Sequence, residues 1–169
     1  MSATRSPATD AAAALLLAFA EQGVAHIVLS PGSRSQALAL VAAALEGERM
    51  RLHVRIDERV AAFTALGIAR ETGMPAVVVC TSGTAVANLL PAVLEAHHAG
   101  VPLILVTADR PPELRGVGAN QTTCQPGMFS QVVRLETDLT VPEAVDDGRG
   151  EQSTMLRQVA ADAVAAALG

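Results

Sequence analysis

Four short polar clusters hold the residues best suited to chemistry, and each follows directly on an apolar run: Ser30-Pro-Gly-Ser-Arg-Ser35, Asp57-Glu58-Arg59, Thr81-Ser-Gly-Thr84, and Ala108-Asp109-Arg110-Pro111-Pro112. Together they supply hydroxyls, backbone amides at helix starts, carboxylates and arginines, which in outline is an anion-binding edge. Each cluster also has a plainer reading. Ser33 and Ser35 could cap one helix, and Ser82 and Thr84 another, because a side-chain oxygen satisfies an orphan amide at a helix start. Asp57 could do the same while Glu58 sits in a first turn, where negative charge is favourable without any catalytic role. Arg110 could pair with Asp109 or a neighbouring carboxylate at the surface. On residues alone both readings stand.

The elements that must carry these clusters are legible as periodic patterns. Residues 24–29, 52–56, 76–80 and 103–107 are short runs rich in β-branched side chains and predict strands, while 10–22, 35–45, 57–72 and 84–99 have helical spacing. The alternation predicts βαβ units. Strands apolar throughout, rather than on every second residue, predict a parallel sheet with helices on both faces, a three-layer α/β fold whose ligands bind outside the carboxyl ends of the strands. All four clusters then fall on one edge. Residues 108–130, with three prolines and no helical period, predict a long loop of the functional kind. Residues 131–139 predict a further strand, 142–150 an exposed acidic segment, and 151–168 a helix with Met155, Val159, Ala163 and Ala167 on one face. A chain of 169 residues is one domain.

Composition narrows the functions. A net charge of −5 and an aromatic content of three Phe, no Tyr and no Trp argue against a nucleic-acid surface. All twelve basic residues are Arg, so neither a Schiff-base lysine nor a phosphate-loop lysine exists in the chain. Neither Ser33 nor Ser82 has the Gly-x-Ser-x-Gly frame of a nucleophile elbow, and the dinucleotide Gly-x-Gly-x-x-Gly pattern is missing after the first strand. Two cysteines, Cys80 and Cys124, make neither a disulfide framework nor a zinc site and fit a reducing cytoplasm. The histidines lack metal-ligand spacing; His97 and His98 suit a helix C-terminus. No apolar run is long enough to span a bilayer, and no signal peptide is expected. The 50% hydrophobic share with only 17% charged residues predicts an obligate interface.

The ordered segments Ser30-Pro-Gly-Ser-Arg-Ser35, His53-Val-Arg-Ile-Asp-Glu-Arg59, Thr81-Ser-Gly-Thr-Ala-Val-Ala-Asn88, Thr107-Ala-Asp-Arg-Pro-Pro-Glu-Leu114, Gly118-Ala-Asn-Gln-Thr122 and Gln125-Pro-Gly-Met-Phe129 carry a more specific signal. Together they closely resemble the amino-terminal, pyrimidine-binding domain of the 2-succinyl-5-enolpyruvyl-6-hydroxy-3-cyclohexene-1-carboxylate synthases (MenD). The resemblance runs from the first helix to about Phe129 and thins beyond Ser130. It implies a thiamine-diphosphate-binding fold, Rossmann-like. It also implies a transferase of menaquinone biosynthesis that decarboxylates 2-oxoglutarate and adds the succinyl-semialdehyde carbanion to isochorismate, using thiamine diphosphate with Mg2+ or Mn2+.

The same resemblance assigns roles. Glu58 faces N1′ of the aminopyrimidine and is the catalytic carboxyl; the backbone around Ser82, Gly83 and Thr84 borders the ring. Ser33, Arg34 and Arg110 hold substrate carboxylates, for which a guanidinium is a planar, permanently charged fork. Asn120 and Gln121 are amides near the intermediate or second substrate. The metal is expected on a Gly-Asp-Gly motif that this sequence does not contain, so the central and diphosphate-binding domains, and one last strand of the sheet, are expected outside these 169 residues. The chain alone is then expected to be inactive, and a homo-oligomer in the cytoplasm. Two other functions remain open: a different thiamine-diphosphate 2-oxoacid enzyme, against which the Ser33-Arg34 and Asp109-Arg110 pairs speak, and a non-catalytic α/β module that binds a nucleotide or another anion.

Overall fold

The computed structural model describes residues 6–142 and 149–169. Helix α1, Pro7–Glu21, starts at Ser6, whose hydroxyl accepts from the Thr9 amide, with Pro7 in the first turn where its missing N–H costs nothing. Strand β1, His26–Leu29, leads to α2, Gln36–Leu45; β2, Arg51–Val54, leads to α3, Glu58–Thr72; and β3, Ala76–Cys80, leads to a short helix, α4, Thr84–Ala87. Helix α5, Leu90–Ala99, precedes β4, Leu103–Thr107, and α6, Arg149–Leu168, closes the described chain. Between β4 and α6 the only helical turn among the described residues is the 3-10 segment Pro112–Leu114.

The four strands form one sheet in the order β2-β1-β3-β4, all parallel. Every residue of β3 is buried, which is why its sequence is Ala-Val-Val-Val-Cys with no polar alternation. Ile27, Leu29, Val77, Val79 and Ile104 point to a face covered by α1, α2 and α6, while Val28, Ala76, Val78 and Cys80 point to the face covered by α3, α4 and α5. The three-layer α/β architecture expected from the alternation is therefore the observed one. Each fully buried Val or Leu contributes about 1.5–3 kcal/mol relative to exposure, so this double-sided burial fixes the strand ends that bear the polar clusters. Because the chain leaves β1 toward β2 on one side and returns to β3 on the other, the direction of winding reverses between β1 and β3. Ligands bind at such a reversal.

Several expectations are corrected. The helix expected over 84–99 is two helices, because Pro91 has no amide to bond Ala87 and its ring would strike that carbonyl; the break falls at Asn88 and Leu89, and the Asn88 side chain donates back to the Thr84 carbonyl. The strand expected over 131–139 does not form: the chain turns back at Phe129, whose carbonyl accepts from Val132 and Val133, and the charged residues that follow spend their side chains elsewhere. Arg134 donates to the Ala166 and Ala167 carbonyls, Glu136 accepts from the Gly127 amide, and Asp138 pairs with Arg115. In α6 the buried stripe is Leu156, Ala160 and Val164, one residue round from the expected one; Met155 is 39% exposed, and Ala163 and Ala167 pack at the flank. Strand ends shift slightly too: β2 stops at Val54, leaving Ile56 83% exposed. Of the acidic segment expected over 142–150, residues 143–148 lie outside the described residues, and Arg149 and Gly150 already belong to α6.

Candidate functional site at the carboxyl edge of the sheet

The turns after β1 and β3 touch. Gly32 lies so close to Thr81 that a Cβ added there would sit 2.4 Å from the Thr81 Cβ, which explains why the first cluster holds glycine at this point. Ser35 neither caps α2 nor faces outward: its hydroxyl is buried, donates to the Gly32 carbonyl at 3.1 Å and accepts from the Gly32 amide at 3.2 Å, closing the loop on itself. Ser33 is left exposed at the turn, and Arg34 extends from it. The capping reading of Ser33 and Ser35 is thereby replaced by a loop lock.

After β3, the buried Ser82 hydroxyl donates to the Gln121 carbonyl at 2.8 Å, Gly83 adopts φ 83°, ψ −140°, open only to glycine, and Thr84 is exposed at the start of α4. A Cβ on Gly83 would meet the Gln121 backbone at 3.0 Å. Gln121 itself has φ 54°, positive although it is not glycine. The 118–122 loop is thus pinned across the β3 turn at the cost of one strained residue.

Both strand-end arginines converge on that loop. Arg34 donates from Nη2 to the Asn120 carbonyl at 2.7 Å and from Nη1 to the Gln121 side-chain Oε1 at 2.9 Å, while Arg110 donates from Nη2 to the same Asn120 carbonyl at 3.2 Å. Arg34, Arg110, Asn120 and Gln121, expected separately from sequence, are therefore one constellation. Four buried donors in this region have no protein partner among the described residues: Ser30 Oγ, Thr81 Oγ1, Arg34 Nε and Arg110 Nε. Unpaired buried donors are costly, and several at one sheet edge suit a ligand rich in acceptors. Both arginines also line a groove of about 680 Å³ that runs along β4 past Thr107 and Gln125 to Leu139 and α6. A shallower hollow of about 640 Å³ at the opposite end, by Arg70, Gly100 and Arg134, holds none of the cluster residues.

Glu58 begins α3 and is half-buried, with no hydrogen bond or ion pair among the described residues. Its neighbour Asp57 does the structural work, accepting from the Val60 amide at 2.9 Å. The Cys80 thiol, at the end of β3, is pushed up to about 12 by burial and secondarily by the Glu58 charge, so the thiol is inert there. Cys80 and Cys124 are both free.

Two residues that carry much of this geometry drew no role from sequence. Arg115 donates from Nε to the Arg110 carbonyl, lies 2.9 Å from Asp109 Oδ2 at an angle that makes an ion pair but no hydrogen bond, and forks onto Asp138 at 2.7 and 3.0 Å. That hydrogen bond holds the Asp138 carboxyl below its ordinary range. Arg110 accordingly does not pair with Asp109 through its side chain; only its backbone amide does, at 2.7 Å. The second residue is Gln125, a buried amide whose position inside the Gln125-Pro-Gly-Met-Phe129 segment was its only signal. Among the described residues no group of three or more His, Cys, Asp or Glu gathers as a metal site, and no helix is long and apolar enough to cross a membrane.

Comparison with known proteins gives this edge a context. Residues 9–132 match the family model described as "Thiamine pyrophosphate enzyme, N-terminal TPP binding domain". The chain is 58% identical over 167 residues to a 2-succinyl-5-enolpyruvyl-6-hydroxy-3-cyclohexene-1-carboxylate synthase of Leifsonia xyli, covering 98% of this chain and 28% of the relative. It is 57% identical over 155 residues to the protein of that name from Clavibacter michiganensis, covering 91% and 26%. With that of Kineococcus radiotolerans it is 54% identical over 166 residues, covering 97% and 29%. The chain therefore spans little more than a quarter of the length of these relatives.

Proposed function

Because the chain belongs to the thiamine pyrophosphate enzyme family, as its N-terminal TPP binding domain, we propose that it forms the pyrimidine-binding part of a synthase of menaquinone biosynthesis. That enzyme joins the fragment left by decarboxylation of 2-oxoglutarate to isochorismate. The observation that carries the substrate class is the pair of arginines, Arg34 and Arg110, brought from the ends of β1 and β4 onto the single Asn120 carbonyl. Two substrates that each carry carboxylates need two permanently charged forks, and a 2-oxoacid enzyme with one small substrate does not.

The edge fits thiamine diphosphate. The half-buried Glu58 carboxyl is uncommitted among the described residues, and unpartnered buried donors lie at the neighbouring strand ends, on Ser30 and Thr81. When bound, the cofactor supplies a thiazolium carbon that takes up the 2-oxoacid. Glu58 holds a proton at N1′ of the aminopyrimidine, while the backbone of Ser82, Gly83 and Thr84 borders the ring. Ser33, Arg34 and Arg110 orient substrate carboxylates, and Asn120 and Gln121 present amides to the second substrate. The Mg2+ or Mn2+ ion and its Gly-Asp-Gly motif, which this sequence lacks, belong to other parts of the same protein. Val54, Ile56, Val60 and Phe63 are 42–83% exposed around Glu58 and support an apposing domain or second copy that completes the pocket in a cytoplasmic homo-oligomer.

Glu58→Gln in the full-length protein tests the reading. General acid–base groups contribute about 10²- to 10⁴-fold, so turnover of 2-oxoglutarate falls by that factor with cofactor still bound. Turnover within twofold of wild type refutes the role of Glu58.

A further inference from the structure

Gln125 spans two turns that the strand order separates. Its side chain is 8% exposed; Oε1 accepts from the Gly83 amide at 2.9 Å, and Nε2 donates to the Ala108 carbonyl at 2.9 Å. Those partners are an N–H and a C=O, so only one orientation of the amide satisfies both. The Ala108 amide donates in turn to the Cys80 carbonyl at 3.0 Å, and the Gln125 side chain therefore continues the β3–β4 ladder past the point where the backbones diverge. On one side it fixes the peptide of Gly83, whose φ of 83° only glycine adopts freely and which packs against the Gln121 backbone; on the other it fixes the residue immediately before Asp109 and Arg110. The peptide plane is rigid, so the Ser82 carbonyl must point away from Gln125 once the Gly83 N–H points toward it.

From this geometry we propose that Gln125 is a positioning residue that couples the cofactor-side turn, 82–84, to the substrate-side turn, 109–110, and so sets the distance between bound ring and bound carboxylate. The inference rests on the functional reading above and deepens it. At neutral pH no other side chain of similar length does both jobs. Glutamate as carboxylate turns a second acceptor on the Ala108 carbonyl, whereas protonated glutamate restores one donor and one acceptor. Methionine has neither.

The test uses the full-length protein with Gln125→Glu and Gln125→Met, and reads thiamine diphosphate affinity in the presence of Mg2+ by calorimetry, as a ratio to wild type between pH 5.5 and 8. Losing a buried hydrogen bond and stranding its partner weakens binding about 10-fold. The Met variant is expected to be weakened by that factor at every pH. The Glu variant is expected to be weakened at pH 8 and to return toward wild type as pH falls and its carboxyl takes up a proton. Melting curves of each variant establish that it folds, and the Glu variant serves as its own control because one polypeptide is compared across pH. A Gln125 that merely stabilised the fold would lower Tm in both variants and leave the Glu-to-wild-type ratio flat, which overturns the proposal, as does a Met variant that binds like wild type. Wild-type protein that binds no thiamine diphosphate overturns the functional reading and this proposal with it; binding by wild type with indifferent variants overturns the proposal alone.

Discussion

Gly32→Ala is the sharpest test of how the two central strand ends meet. The added methyl would lie 2.4 Å from Thr81 Cβ, 2.7 Å from its Cγ2 and 2.9 Å from its Oγ1. Carbon atoms in optimal contact are about 3.5–4.0 Å apart, so the overlap exceeds 1 Å and the atom most encroached upon is bonded directly to the backbone. A rotamer change cannot relieve it. Overpacking costs about 1–3 kcal/mol, and the upper half of that range applies where backbone must shift; for a chain of this size each kcal/mol moves Tm by about 2–4 °C. Gly32→Ala is therefore expected to lower Tm by about 4–12 °C in a calorimetric or circular-dichroism melt. The overlap also predicts the pattern of rescue: Thr81→Ser keeps the Cβ and rescues little, whereas Thr81→Gly removes all three contacts and couples favourably with Gly32→Ala in a double-mutant cycle. An unshifted Tm for Gly32→Ala, or rescue by Ser equal to rescue by Gly, would refute the argument.

Arg34→Ala and Arg110→Ala in the full-length protein are expected to raise KM for the carboxylate substrates at least 10-fold and to leave thiamine diphosphate affinity within about twofold, as loss of a charge-assisted hydrogen bond implies; loss of cofactor binding instead reverses the assigned roles. The His26–His53 pair gives a pH dependence. His26 Nδ1 lies 3.1 Å from His53 Nε2, and burial, then the His53 charge and then Arg51, hold His26 below its ordinary 6.5. The unfolded chain therefore takes up a proton at His26 that the folded chain resists, so this contribution to stability is present above pH 6.5 and is lost as pH falls through and below that value. Melting temperature should fall between pH 7.5 and 5.5 less steeply in His26→Gln than in wild type; equal slopes would remove His26 from the account.

The fold was legible because its signals are local. The buried strand β3 and the half-buried β4 were placed to the residue by their apolar β-branched runs, and the parallel three-layer arrangement followed from the alternation of strands and helices. The helix break at Asn88 and Leu89 was also written locally, in Pro91, but the apolar periodicity through Leu90 and Val93 masked it. The α6 stripe and the 131–139 segment were misread for another reason: what covers Leu156, and what Arg134, Glu136 and Asp138 bond to, depends on residues far along the chain. The site divides the same way. Ser33, Arg34, Glu58, Ser82, Gly83, Thr84, Arg110, Asn120 and Gln121 stand in recognisable strings, and the structure brings Arg34, Arg110, Asn120 and Gln121 together. Gln125 acts through backbone atoms of two other turns, and Arg115 through the Arg110 carbonyl and the Asp109 and Asp138 carboxylates, partners that no string of neighbours records.

The winding reversal between β1 and β3 has a kinetic consequence. β1 pairs with β2 across a short stretch of chain, Ile27 with Leu52, but with β3 only across a longer one, Ile27 with Val77, which encloses two helices and a strand and costs more chain entropy to close. The Gly32–Thr81 contact lies on that seam, so the two halves of the pocket meet only when the longer loop has closed. A ligand that grips both sides of a late-forming seam has little to hold in the folding transition state. It should leave the rate of folding almost untouched and act by slowing the escape from the native state.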